Sequence, residues 1–215
     1  MPLRLQLRRI ASFQAEYSYE NPEMPVKLLS VLGIVVAVCC LGFATTLYPG
    51  GFDWNRDFIS TLLRGPAGQA RMFADVGVLI FCLSLGLVFA RLAKVPELSP
   101  TAKAIRIGGI GSMVYAAMSI TPMHDLMVSI SLVFLVVALF ALLLALKGVG
   151  EIAFFIAGCC CLAVLLASAA VYYSSIFVAV LPWAQRVSFA GIAVWLVALD
   201  WVFPRVQLGA IERMS

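Results

Sequence analysis

Charge is scarce in this sequence. Asp, Glu, Lys and Arg make up 12% of the 215 residues, about half the share found in a soluble domain. Hydrophobic residues take 63%, and mean hydropathy is +1.03. So few polar side chains cannot cover a soluble globule, so the excess apolar surface must face lipid. The apolar runs are continuous, not alternating, which excludes a closed β-barrel. Histidine is nearly missing, with His124 the only one. That argues against a zinc centre, which usually takes two or three nitrogen or sulfur ligands. An oxygen-rich site would suit Ca²⁺ or Mg²⁺ better. No cysteine lies in a hydrophilic loop: Cys39, Cys40, Cys82, Cys159, Cys160 and Cys161 all sit inside apolar runs. A disulfide framework needs extracellular loop cysteines, so these are read as small packing residues. No P-loop, dinucleotide fingerprint or haem-attachment motif occurs, and no nucleophile elbow. No cofactor is expected.

What is present is a single domain's length divided into six apolar runs: 26–47, 72–92, 104–121, 126–146, 152–174 and 185–203. Each approaches the roughly 20 residues a helix needs to cross about 30 Å of hydrocarbon. The sequence therefore predicts an all-α, polytopic transmembrane helix bundle of six spans. Residues 1–25 form a polar N-terminal tail, 26–204 the membrane domain and 205–215 a second tail. Within the first tail, 3–13 reads either as a basic amphipathic helix on the inner leaflet or as a disordered segment. It makes a poor signal peptide, because the run after it is too long and has no small-residue cleavage site. Pro204 closes the last run.

The net charge of +4 raises the question of nucleic acid, but the basic residues lie mostly at the ends of apolar runs. There they set topology and meet lipid headgroups, so membrane lipids are expected partners and nucleic acid is not. Arg4, Arg8, Arg9, Lys27, Arg91, Lys94, Lys103, Arg106, Lys147, Arg205 and Arg213 fall on one side; Arg56, Arg64, Arg71 and Arg186 fall on the other. Eleven against four places both termini in the cytoplasm.

The outer connections then carry the unusual residues. The first holds Pro49-Gly50-Gly51, a turn signal, followed by Asp53, Trp54, Asn55, Arg56 and Asp57. Residues 58–63 read as a short interfacial helix or a segment dipping into the bilayer edge. The third connection holds His124 and Asp125. Asp125 is placed to N-cap the fourth span, and His124 must sit at the helix mouth, free to bind metal, shuttle a proton or simply hydrogen-bond. The bland reading of the first loop is an interfacial aromatic belt with an Asp–Arg helix cap. The short third span carries Gly108, Gly109, Gly111 and Ser112, small residues that let helix backbones approach closely. Asp75 and Glu151 suit helix N-termini. Asp200 lies one turn from the inner end of the last span, with Arg205 too far along for an ideal i,i+4 partner. It is either functional or snorkels to the interface.

Tyr48-Pro49-Gly50-Gly51, Gly51-Phe52-Asp53-Trp54, Ile107-Gly108-Gly109-Ile110-Gly111-Ser112-Met113 and His124-Asp125 resemble a group of small bacterial six-helix integral membrane proteins classed as a domain of unknown function. The resemblance spans roughly residues 28–203. It implies a bacterial inner (plasma) membrane location and no particular activity.

Three function classes stay open. The first is a protein that binds or transports a small molecule, ion or lipid headgroup through a polar outer-face site. The second is a membrane-embedded hydrolase or transferase acting on lipid, with His124 and Asp53 or Asp57. The third is a structural subunit of a membrane complex. The sharpest expectation is one outer cluster, with His124 and Asp125 approaching the segment from Asp53 to Asp57. A carboxylate buried without a partner would cost on the order of 2–4 kcal/mol in the span and less at the interface.

Overall fold

The structure, a computed structural model, describes residues 24–66, 68–95 and 98–212, with side chains described as far as residue 202. The expected amphipathic stretch at 3–13 lies outside the described residues. Among them the chain forms seven α-helices and no strand. They are α1 Met24–Thr46, α2 Ile59–Arg64, α3 Gln69–Leu92, α4 Ala102–Met118, α5 His124–Val149, α6 Ile152–Ser174 and α7 Leu181–Glu212. A single 3₁₀ turn, Val178–Val180, precedes α7.

Five of these helices are long and apolar enough to cross a membrane: α1, α3, α5, α6 and the described part of α7. The remaining long helix, α4, has 17 residues and reaches about 26 Å at the α-helical rise, short of a 30 Å hydrocarbon core. Large apolar side chains stand exposed along the long helices, among them Leu83, Val133 and Val194. Such a surface is stable only against lipid.

Boundaries differ from the sequence reading in two informative places. α3 begins at Gln69, so Asp75 sits in its second turn, not its first, and pairs with Arg71 at 3.7 Å. α7 does not stop at Pro204 but continues to Glu212. A proline inside a helix removes one i→i−4 bond, yet the helix runs on past it.

Sequence neighbours pack as spatial neighbours: α1 on α3, α3 on α4, α4 on α5, α5 on α6, α6 on α7, and α7 back on α3. The helices alternate in direction. One end of the bundle, the loop end, therefore carries the connections 47–68, 119–123 and 175–180, and the other carries 93–101 and 150–151. Helix α4 approaches α5 closely. A Cβ on Gly108 would stand 2.9 Å from both the Ala138 amide nitrogen and the Phe134 carbonyl oxygen, so only glycine lets these backbones meet. Ser112 and Ser131 finish the contact with a 3.1 Å hydroxyl pair and a 3.0 Å bond from Ser131 to the Ser112 carbonyl. Gly109 is filled on its other side by the Phe89 ring of α3.

The main core lies toward the end opposite the loops. There Val88, Phe89 and Leu92 of α3 meet Leu139, Leu142 and Leu146 of α5 and Leu196 and Leu199 of α7. A smaller cluster at the loop end joins Ala44, Leu62, Leu63 and Ala74.

Candidate functional site

The short helix α2 is not a surface ornament. Leu62 and Leu63 are buried against α1 and α3, so α2 folds back into the bundle mouth, as its apolar character predicts. The turn before it is set by Gly50 and Gly51, at φ 84° and 86°, values that glycine adopts without strain. Phe58 N–H donates to Thr61 Oγ1 at 3.2 Å, satisfying an early amide of the helix.

Three polar ties hold this segment over the helix ends. The Ile59 N–H donates to Gln185 Oε1 of α7 at 3.3 Å. Arg64 forms an ion pair with Asp125 of α5. Arg186 of α7 donates to the carbonyl oxygens of Trp54 and Asp57, the latter at 2.7 Å. Its guanidinium lies 5.0 Å from the Trp54 ring centre, 5.5 Å from Trp183 and 5.9 Å from Phe52. Arg186 Nε is buried and makes no hydrogen bond; the surrounding ring faces supply its electrostatic partner.

Beneath this lid lies a cavity of about 550 Å³, within the range of small-molecule and cofactor sites. Every helix contributes to its wall. The wall is mostly hydrocarbon, from residues such as Leu85, Met113, Leu135, Leu165 and Ile192. Among the described residues its charged side chains are Arg64 and Arg186, which sit together at the loop end with His124, Gln185, Tyr172 and Tyr173. Lower down, polarity is confined to two serine pairs that satisfy one another, Ser112 with Ser131 and Ser168 with Ser188 at 3.0 Å.

His124 is buried, and its Nδ1 lies 2.7 Å from the Ser119 carbonyl oxygen. A carbonyl can only accept, so Nδ1 carries the proton and a neutral ring presents Nε2 as an acceptor. Asp125 is inside the first turn of α5 rather than at its N-cap, which is Met123. Its carboxylate accepts from Tyr172 at 2.7 Å as well as from Arg64. Tyr173 reaches Ser129 at 2.6 Å, so two tyrosines tie the end of α6 to the start of α5.

The expected cluster divides in two. Asp53 and Asp57 are held within their own loop: Asp57 accepts the Asp53 N–H at 2.8 Å, and Asp53 accepts the Asn55 N–H at 2.9 Å. Arg56 lies 3.7 Å from Asp53, both well exposed. His124 and Asp125 instead meet Ser119, Arg64 and Tyr172. Among the described residues, no hydrogen bond or ion pair joins the two groups. The carboxylates found partners in backbone amides, which composition alone does not reveal. Trp54 acts through its carbonyl and ring, on Arg186. Among the described residues, no three His, Cys, Asp or Glu side chains gather as a metal-binding group.

At the opposite end a second polar group is fully enclosed. Arg91 and Asp200 pair at 2.7 Å with side chains 8% and 5% exposed. Arg91 Nε also lies 3.1 Å from both carboxylate oxygens. The guanidinium further donates to Ser30 Oγ at 3.0 Å and to the Val26 carbonyl at 3.3 Å. Asp200 therefore does not snorkel; it is paired across helices, and Arg91 is spent on it instead of marking a loop.

No family model, curated protein or solved structure matches the chain.

Proposed function

We propose that this chain is a plasma-membrane protein, of the bacterial inner membrane by the resemblance noted above, that binds an amphiphile within the bilayer. The hydrocarbon part occupies the cavity, and the polar head lies at its loop end. In this reading α4 is a sixth span, thinned by its glycines, both termini are cytoplasmic, and the loop end faces outward. The observation that carries the reading is the distribution of polarity in one cavity. A wall of about 550 Å³ is apolar through most of its depth, and its charged side chains are gathered at one end. Water-soluble ions or sugars would find few partners along such a wall, whereas a chain with a polar head matches it from end to end. This sharpens the expectation of a ligand held at the outer face by adding a tail to the head.

The test is to purify the protein in a mild detergent, extract it and identify retained lipid by mass spectrometry. Ala116 and Ala169 both line the cavity, so Ala116→Trp and Ala169→Trp should each lower the retained amount severalfold while the protein stays folded. A wild-type protein that retains no lipid above the detergent background would defeat the reading and leave a structural subunit as the better account.

A further inference from the structure

Resting on the reading of the cavity as an amphiphile site, we infer that its ligand enters sideways from the bilayer, through a gap between α1 and α7, and is the acyl chain of a membrane lipid. Helix α7 returns to α3, while α1, packed mainly on α3, touches α7 only slightly. The two are joined where Arg91 collects Val26 and Ser30 of α1 and Asp200 of α7. Side chains of both helices belong to the cavity wall and are exposed: Val38 of α1 at 59% and Phe189 of α7 at 40%, with Ala190 beside it also exposed. Exposed wall residues on two helices that barely touch place the opening of the cavity between them. These are all hydrocarbon, so the opening presents no polar group to water and admits a chain without desolvation cost.

The water side is closed by different means. α2 and its preceding loop cover the loop end through Gln185, Arg186 and the Arg64–Asp125 pair. Two apolar side chains, Leu62 and Leu63, are driven into the bundle beneath them. A ligand arriving from solution would have to break these ties. One arriving from the membrane breaks none. The opening lies at hydrocarbon depth, because its rim is set within helices α1 and α7 rather than at their ends.

The experiment uses the full chain in phosphatidylcholine vesicles and a lysophosphatidylcholine whose single chain carries a diazirine. The probe partitions into the vesicles on mixing, and a light flash at increasing delays fixes it where it lies. In the unaltered protein, label should accumulate on cavity peptides carrying Leu135 and Leu165. In Val38→Trp/Ala190→Trp, which narrows the seam from both helices, cavity labelling should slow on the order of tenfold and reach a plateau within twofold of the unaltered protein. Leu62→Ala, which loosens the lid from outside the cavity wall, should leave the rate unchanged. An unslowed seam variant, or a rate that rises only when the lid is loosened, overturns lateral entry while leaving the cavity as a ligand site. No cavity label in the unaltered protein at any delay overturns the cavity reading itself, and lateral entry with it.

Discussion

Replacing Asp200 by leucine strands the Arg91 guanidinium inside the bundle. The carboxylate receives Nη2 at 2.7 Å and Nε at 3.1 Å, leaving, among the described residues, Ser30 Oγ and the Val26 carbonyl. A buried ion pair broken by loss of one partner costs about 3–5 kcal/mol. Asp200→Leu should therefore destabilise by about 3–5 kcal/mol. Arg91→Met should do the same, because Arg91 is the partner of both Asp200 oxygens. The double variant removes both charges and substitutes apolar volume, a change that is often neutral or stabilising. It should lie well above either single variant, with a coupling energy of about 3 kcal/mol or more. Unfolding of the purified proteins against SDS mole fraction in mixed micelles measures all three. Single costs below about 1 kcal/mol that simply add would refute the argument, since they would mean the two groups reach water independently at the interface.

The Arg64–Asp125 pair should behave in the opposite way, because its side chains are 48% and 63% exposed. Arg64→Ala should cost no more than about 1 kcal/mol in the same unfolding assay, the usual ceiling for a solvated pair. Gly108→Leu forces a side chain against the α5 backbone and should destabilise by about 1–3 kcal/mol or more, while Gly148→Leu, where a Cβ meets nothing within 4 Å, should fall within about 0.5 kcal/mol of the parent. Reporter fusions after Ser215 and within the 93–103 connection should both report cytoplasm, and an outer-face signal at either one would overturn the proposed topology.

How much of this was legible depends on the range of the signal. Helices were readable because apolar runs of membrane length have few alternatives, and the small-residue face of α4 was readable because its spacing is local. The 58–63 segment announced itself as a short apolar piece between polar stretches. The candidate site was only half visible. Sequence placed Asp53, Asp57, His124 and Asp125 at one end of the bundle, but which of them meet is decided by backbone amides and by partners far along the chain. Arg186 lies 129 residues from the Asp57 carbonyl it binds, and Asp125 reaches Tyr172 across 47 residues. Tyr172-Tyr173 closing an apolar run and a lone arginine opening the next were the available hints, and both also fit an ordinary interfacial belt. Arg91 was hidden for another reason: counted as a topology signal, it is a core residue whose partner lies 109 positions away.

The two ends of the bundle are therefore closed with very different strength, and this difference bears on how a cavity can exist at all. Helices in a membrane gain little from burying hydrocarbon against one another, because lipid tails are equally apolar. A void of this size would collapse unless something held the helices apart or something filled it. The enclosed Arg91–Asp200 group fixes α1, α3 and α7 at one end at a cost of several kcal/mol to break. At the loop end the Arg64–Asp125 pair is solvated, worth about 1 kcal/mol or less, and does not alone resist closure of the space between. Yet the wall side chains that meet there are bulky and the serine pairs are spent on one another, so the wall has no polar interaction left to gain by collapsing. On the proposed reading, a hydrocarbon chain lying along this wall makes dispersion contacts with it, and the bilayer at the α1–α7 seam is the nearest source of one.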